Sequence, residues 1–229
     1  MKRSKFNIVL YDRRWKAGFS LIELLVVISI IALFAALIVP FTARVFAKRT
    51  ITRVQIELYK LDSAIESYKA TLGVYPPGNL FANRWTNKSE HFATTLFYEL
   101  TGCTNNVDVM NTPIKIADLK AATGNEAILN SPEMGGPGRN FFGSVRPDQH
   151  AVPNTSKIRE FVVNVPGPEP TSGPVYDLEK EGRIVNPWNY DPSSTNKINA
   201  DRFDLWVDIF VGKRIYRICN WSPEPVILR

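Results

Sequence analysis

Two cysteines and two histidines are all that this chain of 229 residues holds of either type. His91 and His150 stand in no pattern of cysteine, histidine and acid with ligand spacing, so both are expected at the surface or in loops. The run Gly135-Gly136-Pro137-Gly138 lacks the Gly-Lys-Ser/Thr ending of a phosphate loop and reads as an ordinary loop. No Gly-x-Ser-x-Gly element occurs, which leaves nucleophilic hydrolysis without support. The expectation is therefore a protein that is not an enzyme and needs no cofactor. No internal repeat or low-complexity tract is evident. Cys103 and Cys219 lie far apart, and two readings stay open for them: a disulfide in an oxidising compartment, or two buried free thiols.

Basic charge is also missing from most of the chain. The first 18 residues hold Lys2, Arg3, Lys5, Arg13, Arg14 and Lys16 against Asp12, five of the six net positive charges. Everything after Gly18 is near neutral, which argues against a basic nucleic-acid-binding face. From Phe19 to Phe41 the only ionisable residue is Glu23. That run is long enough to cross a hydrocarbon core of about 30 Å, with its basic flank on the cytoplasmic side and the bulk of the chain outside. It is longer than a secretory signal core of roughly 7–15 residues and runs on into a helical pattern, so it reads as a retained anchor. A charge at the centre of such a span costs on the order of 2.5–3.5 kcal/mol, less near its edge, which makes Glu23 a candidate functional residue in want of a partner.

Beyond Pro40 the helical pattern continues. Ile51, Val54, Leu58, Leu61, Ile65, Tyr68 and Leu72 recur at spacings of three and four, one apolar stripe on a helix. Gly73 and Pro76-Pro77 end it. A single helix from Phe19 to Leu72 would be roughly 80 Å long, with a kink or local melting expected at Pro40. Further on, Ser89–Gly102 reads as a short helix, and Thr112-Pro113 as the cap of a second over Ile114–Ala122. Lys157–Val165 is strand-like. Phe203, Leu205, Val207 and Ile209 alternate with Asp204, Trp206, Asp208 and Phe210 as in a strand with one buried face. Gly212-Lys213 can turn it back into Arg214–Cys219. Trp188, Tyr190, Trp206 and Trp221 could form a sugar- or peptide-binding surface, although core packing is their more ordinary use.

Lys16-Ala-Gly18-Phe19-Ser-Leu-Ile-Glu23 followed by the long apolar run resembles the type IV prepilin processing site, found in type IV pilins and in the pseudopilins of type II secretion. The resemblance extends to Pro40 and to the amphipathic stretch ending at Leu72. It implies an α+β, pilin-like fold: a long N-terminal helix, transmembrane in its first half and amphipathic in its second, packed on a small C-terminal antiparallel sheet. The implied parts are a basic cytoplasmic leader (1–18), a transmembrane and assembly helix (19–41), its amphipathic continuation (42–75) and a periplasmic globular domain (76–229). A prepilin peptidase would cut between Gly18 and Phe19 and methylate the Phe19 amine. The resemblance also assigns Glu23 and Pro40 to assembly, with Glu23 meeting the amino terminus of a neighbouring subunit.

A second, weaker resemblance lies in Asn186-Pro-Trp-Asn-Tyr-Asp, Phe203-Asp-Leu-Trp and Ile218-Cys-Asn-Trp221. These are similar to the closing segments of the major pseudopilin, with Asn186 and Asn189 as departures. Many relatives bind calcium in the loop before the final Asn-Trp. Here Val211-Gly212-Lys213-Arg214 brings two cations and no carboxylate, whereas calcium wants six to eight oxygens. Asp201, Asp204 and Asp208 read as solvated acids, and no metal is assigned.

The function implied is a structural subunit of a periplasmic type II secretion pseudopilus held in the inner membrane until assembly. Its partners would be further copies through the N-terminal helices, the peptidase, the inner-membrane assembly platform, other pseudopilins and the membrane, but no nucleic acid. The alternative is a minor type IV pilin that displays residues 76–229 for adhesion or DNA uptake. Gly has no side chain to obstruct the peptidase, so Gly18→Trp should leave an uncut chain longer by the leader of about 18 residues. Normal processing of that variant on a gel would remove the cleavage assignment.

Overall fold

The computed structural model describes residues 19–81, 93–168, 173–180, 182–192 and 198–228, with the backbone but not the side chains of 37–44. The chain divides into two units, residues 1–45 and 46–229. The first helix, α1 (Leu21–Leu72), contributes to both. Its backbone remains helical across residue 40, so of the kink or local melting expected there the melting does not occur, and the Pro40 side chain falls outside the described residues. The leader with Gly18 falls outside them too.

Within the second unit the periodic stripe of α1 does what its spacing predicts. Val54, Leu58, Leu61, Ile65 and Tyr68 are buried in one core with Phe97, Phe203, Leu205 and Ile209, and Ile51 and Leu72 pack at its margin. Each such side chain contributes about 1.5–3 kcal/mol on leaving water. The helix ends where the Gly73 N–H donates to the Lys69 carbonyl, ahead of Pro76-Pro77.

Three antiparallel sheets complete the unit, so it is α+β. The smallest pairs β1 (Cys103–Thr104) with β2 (Val107–Asp108). The second has the order β3 (His150–Ala151), β4 (Glu160–Val163), β5 (Asn186–Pro187). The third runs β6 (Asn189–Asp191), β7 (Asp204–Val211), β8 (Arg214–Cys219), β9 (Val226–Ile227). Asn186–Asp191 therefore passes from the second sheet to the third, turning at Trp188, whose N–H donates to the Phe161 carbonyl at 3.0 Å. The predicted hairpin forms with Val211 opposite Arg214. Gly212, at φ 67°, supplies the left-handed residue that a two-residue turn needs. In the predicted Gly-rich loop, a Cβ on Gly136 would lie 2.0 Å from the Leu129 carbonyl oxygen, so only glycine fits.

Several elements differ from expectation for local reasons. Of Ser89–Gly102 the described helix is α2 (Leu96–Thr101), while 82–92 lie outside the described residues. Helix α3 (Ile116–Thr123) begins two residues later than the Thr112-Pro113 pattern suggests. Pro113 bridges to Val107 and the Ile114 N–H donates to the Asn106 carbonyl, which draws both into extended pairing. Strand β4 is shorter than Lys157–Val165 because Lys157 sits at φ 60°. Strand β7 is buried on both faces over Asp204–Val207 rather than on one. Asp204 accepts the N–H groups of Ile198 (2.7 Å) and Asn199 (2.9 Å), and Trp206 packs 5.8 Å from Trp221, so neighbouring segments cover the face expected to meet water.

His150 is likewise corrected: it is a buried strand residue, not a surface one. Its Nδ1 lies 2.9 Å from Arg159 Nη1 and must accept, since a guanidinium only donates. Burial first, then the Arg159 charge, lower the His150 pKa. Arg159 also donates to Asp108 (2.7 Å), Thr112 (3.0 Å) and Glu179 (2.7 Å), linking β2, β3, β4 and the segment beyond residue 175. Removing one partner of a buried ion pair costs about 3–5 kcal/mol. Arg159→Met is therefore expected to lower the unfolding free energy by about that amount in urea titration. A loss below about 1 kcal/mol, the range of exposed pairs, would show that Asp108 does not depend on the guanidinium.

Candidate functional site

The described N-terminal segment is an apolar helix, and among the described residues nothing else of its own unit covers it. Every large apolar side chain from Phe19 to Phe34 is at least 46% exposed, Phe19 reaching 84% and Leu21 82%. A contiguous apolar surface of this extent marks a protein or membrane contact. Among the described residues no helix is long and apolar enough to cross a membrane. The described apolar stretch, 21–36, is roughly 24 Å long by helical rise, short of the hydrocarbon thickness of about 30 Å. The remainder of the expected span, 37–41, belongs to the residues whose side chains are not described.

Glu23 has a local role that the apolar setting obscured. Ser20 precedes the first helical residue, and its backbone N–H donates to Glu23 Oε2 at 2.9 Å. The Ser20 carbonyl accepts the Leu24 N–H at 3.2 Å, opening the helical ladder. A carboxylate three residues after a serine cap, reaching back to the cap N–H, is half of a capping box. The sequence carried that signal as Ser20-Leu-Ile-Glu23. The negative side chain also sits at the positive end of the helix dipole. Its second oxygen, Oε1, has no hydrogen-bond partner among the described residues.

The other candidates separate from one another. Cys103, at the start of β1, and Cys219, at the end of β8, are both free and buried, so the disulfide reading is corrected in favour of two thiols. Burial first, then Glu99 and Glu133, push the Cys103 thiol up to about 11, and burial raises Cys219 as well. Neither is poised as a thiolate. Asp204 and Asp208 are not solvated acids: Asp204 is buried on backbone amides, and Asp208 receives a bidentate Arg217 at 2.8 Å through each oxygen. Among the described residues no cluster of acids, cysteines and histidines could hold a metal. His91 lies outside the described residues. Trp188, Tyr190 and Trp206 are buried, and the Tyr190 hydroxyl donates to the Pro76 carbonyl at 3.0 Å, so packing is their role.

Trp221 alone of that group borders open space. With Tyr59, Asp62, Arg202 and Asn220 it lines a groove of about 280 Å³ between the second half of α1 and the turn after β8. Arg202 spans Asp62 (2.9 Å) and Glu66 (2.8 Å), fastening the segment that leads into β7 to the helix. Sequence spacing gave no hint of this cluster, because Arg202 lies 140 residues from Asp62 and 136 from Glu66.

Residues 16–39 match the family model described as the prokaryotic N-terminal methylation motif. The chain thus carries a type IV pilin-like N-terminal segment, and the match includes Gly18, Phe19 and Glu23. No curated protein and no solved structure gave a significant match to the chain. The cap contact has its own consequence. Glu23→Ala should speed amide exchange at Ser20 several-fold in detergent micelles, because the N–H loses its acceptor, while Glu23→Gln should preserve protection. Equal exchange in all three chains would remove the capping role.

Proposed function

We propose that the protein is a fibre-forming subunit of a type II secretion pseudopilus. A prepilin peptidase cuts it between Gly18 and Phe19 and methylates the new amine. The apolar helix holds the subunit in the inner membrane until an assembly platform draws it into a fibre. There the helices of successive copies cover one another, and the globular units face the periplasm. What supports this reading most is the exposed apolar face from Phe19 to Phe34, which lies within the matched motif at residues 16–39. Such a surface is stable only against lipid or against further helices.

Glu23 fits the same scheme. Cleavage creates a positive amine at Phe19, about one helical turn away, that a neighbouring copy can present to the carboxylate. The cap bond occupies Oε2 and leaves Oε1 for that contact. The closing segments Asn186–Asp191 and Phe203–Trp206, which build the corner between two sheets and the central strand, favour the pseudopilin over a true pilin by resemblance. A minor pilin displaying its globular unit is the competing role, and abundance separates them.

The test is cross-linking of the full chain in membranes of producing cells. A ladder of homo-multimers is expected, strongly reduced in Glu23→Gln although that variant is still cut and keeps its helix cap. Absence of a ladder from the unaltered chain would overturn the fibre role. An undiminished ladder in Glu23→Gln would remove charge pairing from assembly.

A further inference from the structure

Resting on the fibre reading, we infer that the β7–β8 hairpin tip of one copy docks in the groove beside Tyr59 and Trp221 of the next. The tip presents Lys213 and Arg214, both exposed and without an ion pair among the described residues, next to Phe210, which is 46% exposed. The groove offers what these side chains lack. Asp62, which lines it together with Arg202, and Glu66, one turn further along α1, share that single guanidinium, so among the described residues one of their two negative charges has no cation of its own. Glu224, exposed, follows the groove residue Pro223 in the chain. Tyr59, 59% exposed, and Trp221 supply aromatic faces for a cation, and Phe210 can add apolar contact.

The topology makes this contact one between copies. The tip closes the ribbon at Val211–Arg214, while the groove is reached where β8 ends at Cys219 and continues into Asn220 and Trp221. From Arg214 to Cys219 the strand runs about 17 Å at its usual rise, so tip and groove lie at opposite ends of one hydrogen-bonded ribbon and cannot meet within a subunit. A knob and a socket at opposite ends of the same element form a heterologous contact that need not close on itself, which is the geometry of an open filament. Electrostatic matching of this kind fixes register more than it adds affinity. The globular units would then set the axial stacking that exposed apolar helices alone leave unspecified.

The experiment places p-benzoylphenylalanine at position 59, an exposed aromatic site, in the full chain in producing cells, with a second probe at Ile28 reporting assembly independently. After irradiation, an adduct between copies that maps to residues 210–214 is expected. Its yield should fall about tenfold in Lys213→Glu with Arg214→Glu, in keeping with loss of complementary charge at a docking site. Adducts to another segment, or a yield unmoved by the charge reversal, overturn the inference. A ladder at Ile28 with no adduct at position 59 overturns it while leaving the fibre role intact. No ladder from either probe overturns both.

Discussion

Covering the apolar stripe of α1 is the requirement around which the globular unit is organised. Val54, Leu58, Leu61, Ile65 and Tyr68 share one side of a helix, and α2 with the inner residues of β7 meets them there. At about 1.5–3 kcal/mol each, five such side chains match the whole net stability of 5–15 kcal/mol usual for a domain. The short elements around them could not persist alone. The two-residue strand β1 and the six-residue helix α2 gain their order by joining the core over this stripe.

Closing over it also buries polar groups, several of which find hydrogen-bond partners within the unit. Glu99, fully buried, accepts the Tyr68 hydroxyl at 2.8 Å and the N–H groups of Leu129 at 2.8 Å and Asn130 at 2.9 Å. Burial raises its pKa, and the two backbone amides, followed by the Tyr68 hydroxyl, pull it back. Asn130 in turn donates to the Glu99 and Arg139 carbonyls, both at 2.7 Å. A loop that would otherwise bury unpaired backbone is thereby tied to α2 and, through Tyr68, to α1. Asp204 repeats the device with the amides of 198–199, and Arg159 performs the converse with carboxylates and a histidine.

The elements legible in the sequence were those that obey a period. The α1 stripe, the buried set Leu205, Val207 and Ile209 of β7 and the Gly212-Lys213 turn could be read directly, because three-to-four spacing, two-residue spacing and a turn glycine leave local marks. The polar clusters could not. Arg159 finds Asp108 and Glu179, and Arg202 finds Asp62 and Glu66, only after sheets and helix have been assembled. The misplacement of His150 and Asp204 has the same origin: a polar residue in a strand looks solvent-facing until another segment covers it. Two distant cysteines gave no local mark of whether they would bond, and their elements settle them in separate positions.

At the N-terminus, local pattern was present but masked by a louder one. Ser20-x-x-Glu23 is an ordinary helix-start signature, whereas a carboxylate heading an apolar run draws attention to membrane cost. The two descriptions are complementary. A bond to the Ser20 N–H fixes where Glu23 points before any second chain arrives, so less side-chain entropy remains to be lost when a partner binds. It also keeps one oxygen satisfied when the surroundings become apolar, which lowers the desolvation cost of bringing the carboxylate there. A charge that caps its own helix with one oxygen and offers the other outward is already half paired. In the fibre proposed above, an amine at the head of a neighbouring helix would complete the pairing, and cleavage next to Phe19 would supply it.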